Sequence, residues 1–267
     1  MSSLTGKTVL ITGGASGIGK IMSRLSLERK AKVIIWDIDQ AKIQETLESL
    51  NHLGVISGFQ TDLSNWEQTL QTALKTIEIH GRVDILINNA GVVTGKYFHE
   101  HTETEIERTM AVNSIAPMHI TRFFLPDMLE RNEGHICTIA SSAGLISNPK
   151  MAVYAASKWA AAGWSDSVRL EMKRLGKNIG VTTIMPYYIN TGMFDGVRSR
   201  IPILDPERAA LTIIRSIEKN KTLVTIPGYI YRLTRISQGI FPLAVFDWVA
   251  GKVLGIYKTM DHFTGRK

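Results

Sequence analysis

Thr8-Val9-Leu10-Ile11-Thr12-Gly13-Gly14-Ala15-Ser16-Gly17-Ile18-Gly19 decides the fold: a short β-branched run, a glycine cluster, then an amphipathic stretch from Ile18 to Arg29. Glycines at a strand-to-helix turn permit a tight bend and the close approach of a pyrophosphate. The charge of that group is met by backbone N–H groups and by the positive end of the helix dipole. Counted from Gly13 the spacing is Gly-x-x-x-Gly-x-Gly, not the tighter Gly-x-Gly-x-x-Gly of many dinucleotide binders. A glycine cluster alone fits a merely tight loop equally well. Its position between the first strand and the first helix favours phosphate binding, with Gly13, Ser16, Gly17, Ile18 and Gly19 as the contacts.

Outward from this turn, short apolar runs alternate with longer amphipathic stretches, the signature of repeated βαβ units and a parallel sheet buried on both faces. Strands are expected at Lys32–Trp36, Val55–Gln60, Val83–Ile87, Gly134–Ile139, Gly180–Met185 and Thr222–Ile226, which with the first makes seven. Helices are expected near 39–53, 64–80, 103–130, 151–175 and 206–219, with Asp39 and Ser64 as N-caps. The expected fold is α/β, a Rossmann-type doubly wound seven-stranded parallel sheet. It forms a single domain over residues 1–227, followed by a helical C-terminal extension at 228–267.

Composition agrees with that architecture. With 44% hydrophobic and 21% charged residues over 267 positions, the chain can bury a sizeable core. The single cysteine, Cys137, cannot form an internal disulfide, and its apolar setting reads as a buried strand residue rather than a catalytic thiol. Of the net charge of +7, residues 207–267 carry +6, so the basicity belongs to the tail and not to a nucleic-acid-binding face. Met1 to Lys7 reads as neither signal peptide nor anchor, which gives the expectation of a cytoplasmic protein.

The second strand ends at Asp37, 18 residues beyond Gly19, where an adenosine ribose would lie. A carboxylate there accepts from the two ribose hydroxyls and repels a 2′-phosphate. Ser16, where a basic side chain would welcome that phosphate, is neutral, and both features favour NAD over NADP. The competing reading of Asp37 is a solvated strand end or helix cap. Asp62 and Leu63 follow the third strand, suited to the adenine amino group and ring. Asn88-Asn89-Ala90-Gly91 follows the fourth: the amides can tie strands together, and the small pair keeps side chains away from a cofactor.

In Tyr154-Ala155-Ala156-Ser157-Lys158 a phenol and an ammonium stand one helical turn apart on one face, amid small residues. Such a pair is common on solvated helices, so its weight comes from the company it keeps.

With these residues assembled, the chain resembles the short-chain dehydrogenase/reductase family over approximately residues 5–227. The motifs that carry the resemblance occur in order: Thr12 to Gly19, Asn88-Asn89-Ala90-Gly91, a serine before the tyrosine, and Tyr154-x-x-x-Lys158. The family's spacing selects Ser141 over Ser142 as the catalytic serine, and its active-site asparagine falls on Asn113. The resemblance implies Tyr154 as acid or base, Lys158 as its modulator and a ribose ligand, Ser141 as holder of the substrate oxygen, and Asn113 as support for a water chain. Cofactor contacts then extend over Asn89, Ala90, Gly91, Tyr154, Lys158, Pro186, Ile189 and Thr191, with no metal. Where many members read Pro-Gly, this chain has Pro186-Tyr187-Tyr188, which places two tyrosines on the substrate side. Leu86-Ile87-Asn88-Asn89-Ala90-Gly91-Val92-Val93 and Trp36-Asp37-Ile38 look similar to the branch of retinol and 17β-hydroxysteroid dehydrogenases.

The implied function is NAD-dependent interconversion of a lipophilic alcohol and its carbonyl. The alternatives are an NADP-dependent carbonyl or 3-oxoacyl reductase, against which Asp37 speaks, and an NAD-binding lipid-surface scaffold, which would need no Asn113, Ser141, Tyr154 and Lys158. The family's habit of pairing through its long helices implies a homodimer or homotetramer. Residues 192–205 fall where the family has a substrate lid. Residues 228–257 mix aromatic and aliphatic side chains with Arg232, Arg235 and Lys252, but the longest charge-free run, Ile236 to Phe246, is too short to span a bilayer. They read as amphipathic helices that lie on a membrane or lipid surface, or that cover an apolar face of the protein itself or an oligomer interface.

Overall fold

The computed structural model describes residues 3–265. Its order of elements is β1 (Thr8–Thr12), α1 (Gly17–Glu28), β2 (Lys32–Asp37), α2 (Gln40–Leu50), β3 (Ile56–Gln60), α3 (Trp66–His80) and β4 (Ile85–Asn88). Then come α4 (Glu103–Met110), α5 (Ala116–Arg131), β5 (Gly134–Ile139), α6 (Ala152–Arg174), β6 (Ile179–Pro186), α7 (Pro206–Glu218) and β7 (Leu223–Ile226). Two further helices follow, α8 (Tyr229–Ile240) and α9 (Leu243–Trp248), and after them a π turn at Val249–Val253 and a short 3-10 turn at Ile256–Lys258.

The seven strands form one sheet, all pairings parallel, in the order β3-β2-β1-β4-β5-β6-β7. This is the Rossmann-type doubly wound fold expected from the sequence. Alternate residues of a strand face opposite sides. Val9, Ile11, Val33 and Ile35 therefore join Met22, Ile43 and Ile213 in one core layer, under α1, α2 and α7. Leu10, Ile34 and Trp36 join Phe124, Met128 and Val168 in the other, under α3, α5 and α6. Because both faces are covered, β1, β2 and β4 carry unbroken apolar runs, Val9–Ile11, Val33–Trp36 and Ile85–Ile87, rather than alternating ones. The strand order reverses between β1 and β4, and there the carboxyl ends of the two strands part to leave a crevice.

Two local expectations are corrected. Ser64 does not cap α3. Its amide and hydroxyl both donate to Asp62 Oδ1, at 2.9 and 2.7 Å, and the next residue, Asn65, accepts from Gln68 N instead. The single helix expected over 103–130 is interrupted by a π turn at Ala111–Ile115, which separates α4 from α5. Asp39 does cap α2, accepting from Lys42 N at 3.1 Å.

Candidate active site

The glycine turn is shaped by sterics. Gly13 and Gly17 have φ of 62° and 52°, in the left-handed region that side chains resist. A Cβ on Gly19 would strike the carbonyl oxygen of Gly13, and one on Gly13 would lie 3.0 Å from Ala90 Cα. The first turn of α1 carries no acidic side chain, so its helix dipole is available to an anion. Asn89 fastens this turn to β4: its Nδ2 donates to Thr12 O and Gly13 O at 2.9 and 3.2 Å. Thr12 Oγ1 in turn accepts from Asn89 N and Ala90 N. Asp37 accepts from Ala15 N and Asp39 N at 3.1 and 3.3 Å, which holds its carboxylate beside the turn.

Every residue singled out in the sequence as a cofactor or catalytic contact, apart from Asn113, lines one cleft of about 470 Å³. The cleft runs from the glycine turn, past Asp37, Asp62 and Leu63, to Ser141, Tyr154 and Lys158. Asn113 stands behind its wall in the π turn. Its Oδ1 accepts from Val92 N at 2.8 Å, and its Nδ2 donates to Val92 O and Ser157 Oγ at 2.9 and 3.0 Å. That side chain joins the loop after β4 to α6, and Ser157 Oγ continues the chain by donating to Tyr154 O at 2.7 Å.

At the catalytic end, α6 presents Tyr154 and Lys158 to the cleft, both buried. Lys158 Nζ donates to Ile139 O at 2.9 Å and lies 5.8 Å from the centroid of the Tyr154 ring. Burial lowers the Lys158 ammonium to about 8. The Tyr154 phenol is pushed upward, chiefly by burial, while a hydrogen bond with Ser141 opposes the shift. A general base near neutral pH requires the opposite direction. The protein's own groups therefore hold Tyr154 as a proton donor, and a phenolate there needs a further positive charge in the cleft. Gly91 keeps a side chain away from these groups: a Cβ at that position would reach within 3.3 Å of Asn113 Oδ1 and 3.4 Å of Lys158 Nζ.

The family sequence pattern described as short chain dehydrogenase matches residues 7–202. The chain belongs to the short-chain dehydrogenase/reductase family. It is an oxidoreductase acting on CH–OH groups, and a nicotinamide nucleotide fits the glycine cradle that side chains would fill. It is 33% identical to epidermal retinol dehydrogenase 2 of Mus musculus, over 99% of this chain and 87% of the relative. It is 35% identical to 17-beta-hydroxysteroid dehydrogenase 13 of the same species, over 85% of this chain and 76% of the relative. A short chain dehydrogenase/reductase from Burkholderia phymatum, solved in complex with NAD, superposes with a TM-score of 0.82 at 26% identity, covering 90% of this chain and 95% of the other. A Sphingobium yanoikuyae enzyme in complex with NADPH shares the fold, with a TM-score of 0.79 at 22% identity over 87% and 92% of the two chains.

Several site residues of this dehydrogenase escaped the sequence reading. Arg108 of α4 lines the cleft, as do Asn148, Met151, Tyr229 and Ile230. None belongs to a motif, and only the packing of distant segments reveals them. Tyr187 and Tyr188 acquire definite structural roles. Tyr187 OH shares a 2.8 Å hydrogen bond with Ser199 Oγ of the 192–205 segment, while Tyr188 OH meets Thr259 Oγ1 of the C-terminal segment at 3.0 Å. Phe194 lies edge-on to both Tyr154 and Tyr188, with centroids 5.9 and 5.0 Å apart. The phenol of Tyr154 thus faces an aromatic box.

Proposed function

We propose that this enzyme interconverts a lipophilic secondary or primary alcohol and its carbonyl with NAD as cofactor. The observation that carries the reading is a single cleft lined at one end by the Asp37 carboxylate and at the other by the Tyr154 phenol, which packs with Met151, Phe194 and Ile201. Those walls match an apolar substrate, as do relatives named retinol and 17-beta-hydroxysteroid dehydrogenases. A carboxylate at Asp37 favours ribose hydroxyls and disfavours a 2′-phosphate.

When bound, oxidised nicotinamide supplies the hydride acceptor. In alcohol oxidation Tyr154 takes the hydroxyl proton, and in carbonyl reduction it returns one. The Ser141 hydroxyl holds the substrate oxygen and steadies the charge that develops there. Lys158, in the same buried pocket, favours the phenolate by its positive charge, an effect that grows as water is excluded. Asn113 keeps the loop at Val92 and the helix at Ser157 in register beneath these groups. We further expect a homodimer or homotetramer, for which the exposed Ile115, Trp159 and Leu170 provide apolar contact points on or beside the long helices.

The test follows NADH absorbance over panels of retinoids, steroids and long-chain alcohols, with either cofactor, for wild type and Tyr154→Phe. Oxidation of apolar alcohols with NAD, abolished in Tyr154→Phe, is the expected result. Activity that survives the substitution refutes the mechanism, and a strong preference for NADP refutes the reading of Asp37.

A further inference from the structure

Helix α8 turns its apolar stripe the wrong way for an ordinary surface helix. Tyr229, Leu233, Ile236 and Ile240 recur at the spacing of one helical face. All four are exposed, from 51% at Tyr229 to 68% at Ile240, whereas the buried positions of the helix are Ile230 and Thr234. The apolar surface continues through Phe241 and Leu243 onto α9, where Trp248 is also exposed. Folding of the chain itself gains nothing from this placement, and a contiguous apolar face of this kind marks an interaction surface.

Its charge indicates the partner. Between Gly228 and Lys258 the cations are Arg232, Arg235, Lys252 and Lys258, and the only acid is Asp247. Asp247 is occupied, accepting from Tyr257 OH at 2.6 Å. A second copy of the chain would bring the same cations against one another. An anionic phospholipid surface would accept the apolar stripe among its acyl chains and the cations among its head groups. Tyr229, Leu233 and Leu254 are exposed and also line the catalytic cleft, so the apolar surface runs without a break into the site.

We propose that α8, α9 and the turn after them dock the enzyme on an anionic lipid surface, with the cleft mouth facing the lipid. The docking stands independently of the substrate. The direct passage of substrate from lipid to cleft rests on the lipophilic reading given above.

The experiment floats the full-length protein with phosphatidylcholine vesicles, with and without phosphatidylserine. Wild type is expected to float with the anionic vesicles. The triple variant Ile236→Ser/Ile240→Ser/Leu243→Ser should lose at least about tenfold in partitioning. Arg232→Gln/Arg235→Gln should lose the preference for phosphatidylserine. None of these five side chains is buried, so unchanged thermal unfolding and unchanged turnover of a short water-soluble alcohol check the fold. Wild type that stays unbound, or a triple variant that floats equally, overturns the proposal. A wild-type oligomer that does not float and that the triple variant dissociates assigns the face to a second copy, which also overturns it. Flotation without any alcohol oxidation would sink the functional reading and leave the docking intact.

Discussion

The Tyr188 phenol donates to the Thr259 hydroxyl across 3.0 Å and 71 residues of sequence. The direction of the proton follows from its neighbours: Thr259 Oγ1 spends its one proton on Ile256 O, at 2.8 Å, and so accepts from Tyr188 and from Asn148 Nδ2. Around this knot the C-terminal segment is laced to the 192–205 segment, Arg198 N donating to Thr259 O and Thr264 N to Asp195 O. Met260 and Phe263 complete the cluster that encloses Tyr154.

Thr259→Val keeps the shape and removes an acceptor shared by the buried Tyr188 hydroxyl and the half-buried Asn148 amide, which keep only their weaker contacts, Tyr188 OH to Met151 Sδ and Asn148 Nδ2 to Tyr188 OH. A loss of about 2 kcal/mol in urea unfolding is expected. The KM for an apolar substrate should rise while cofactor affinity stays within about twofold, since the lost contact touches only the substrate wall.

Gly19→Ala drives a methyl group against the carbonyl oxygen of Gly13, which neighbouring backbone holds in place. Cofactor binding, read by quenching of tryptophan fluorescence, should weaken at least about tenfold, because the turn must open where a pyrophosphate would sit. Circular dichroism should remain that of an α/β protein.

Asp37→Asn removes the charge and keeps one acceptor oxygen, enough for Ala15 N or Asp39 N but not for both, since these donate to different oxygens of the carboxylate. The ratio of kcat/KM for NAD over that for NADP should fall by about tenfold, equivalent to about 1.4 kcal/mol. An unchanged ratio would assign Asp37 to the turn alone.

Asn113→Leu deletes three hydrogen bonds, a buried one to Ser157 Oγ and two half-buried ones with Val92 N and Val92 O. A cost of about 3 kcal/mol in urea unfolding is expected. Asn113→Ser should recover little, because the shorter side chain cannot reach both backbone groups at once.

His135 is buried, and burial lowers its imidazole from 6.5 to about 4. Its ring is held neutral: Thr182 Oγ1 gives its proton to Lys221 O at 2.6 Å, so it accepts from His135 Nε2 at 2.8 Å. Between these two pKa values the unfolded chain binds a proton that the folded protein does not. Stability therefore falls as pH drops from about 6.5 to about 4, by about 3 kcal/mol. His135→Gln should flatten that part of the stability profile measured by urea titration at each pH, and an identical slope would exclude His135 as its source.

Much of this was legible locally. The short β-branched runs at Val9–Ile11 and Val33–Ile35 marked the strands, and the glycines from Gly13 to Gly19 marked the turn, because both signals act over a few residues of backbone. The π turn at Asn113 was not legible, since it interrupts a helical pattern through contacts with Val92 and Ser157, 21 and 44 residues away. Nor was the cap of α3, where Ser64 and Asn65 are both good N-cap residues and only the bond from Ser64 to Asp62 separates them.

By itself the sequence determined the βαβ order, the cofactor turn and the helical face shared by Tyr154 and Lys158, since each depends on short-range sterics and periodicity. The tertiary structure decided the direction of the Tyr154 shift, which is set by burial, and the partners of Tyr187 and Tyr188, which come from segments far along the chain. It also decided that the apolar stripe of α8 faces outward, because a helical period fixes which residues share a face and only packing fixes where that face points.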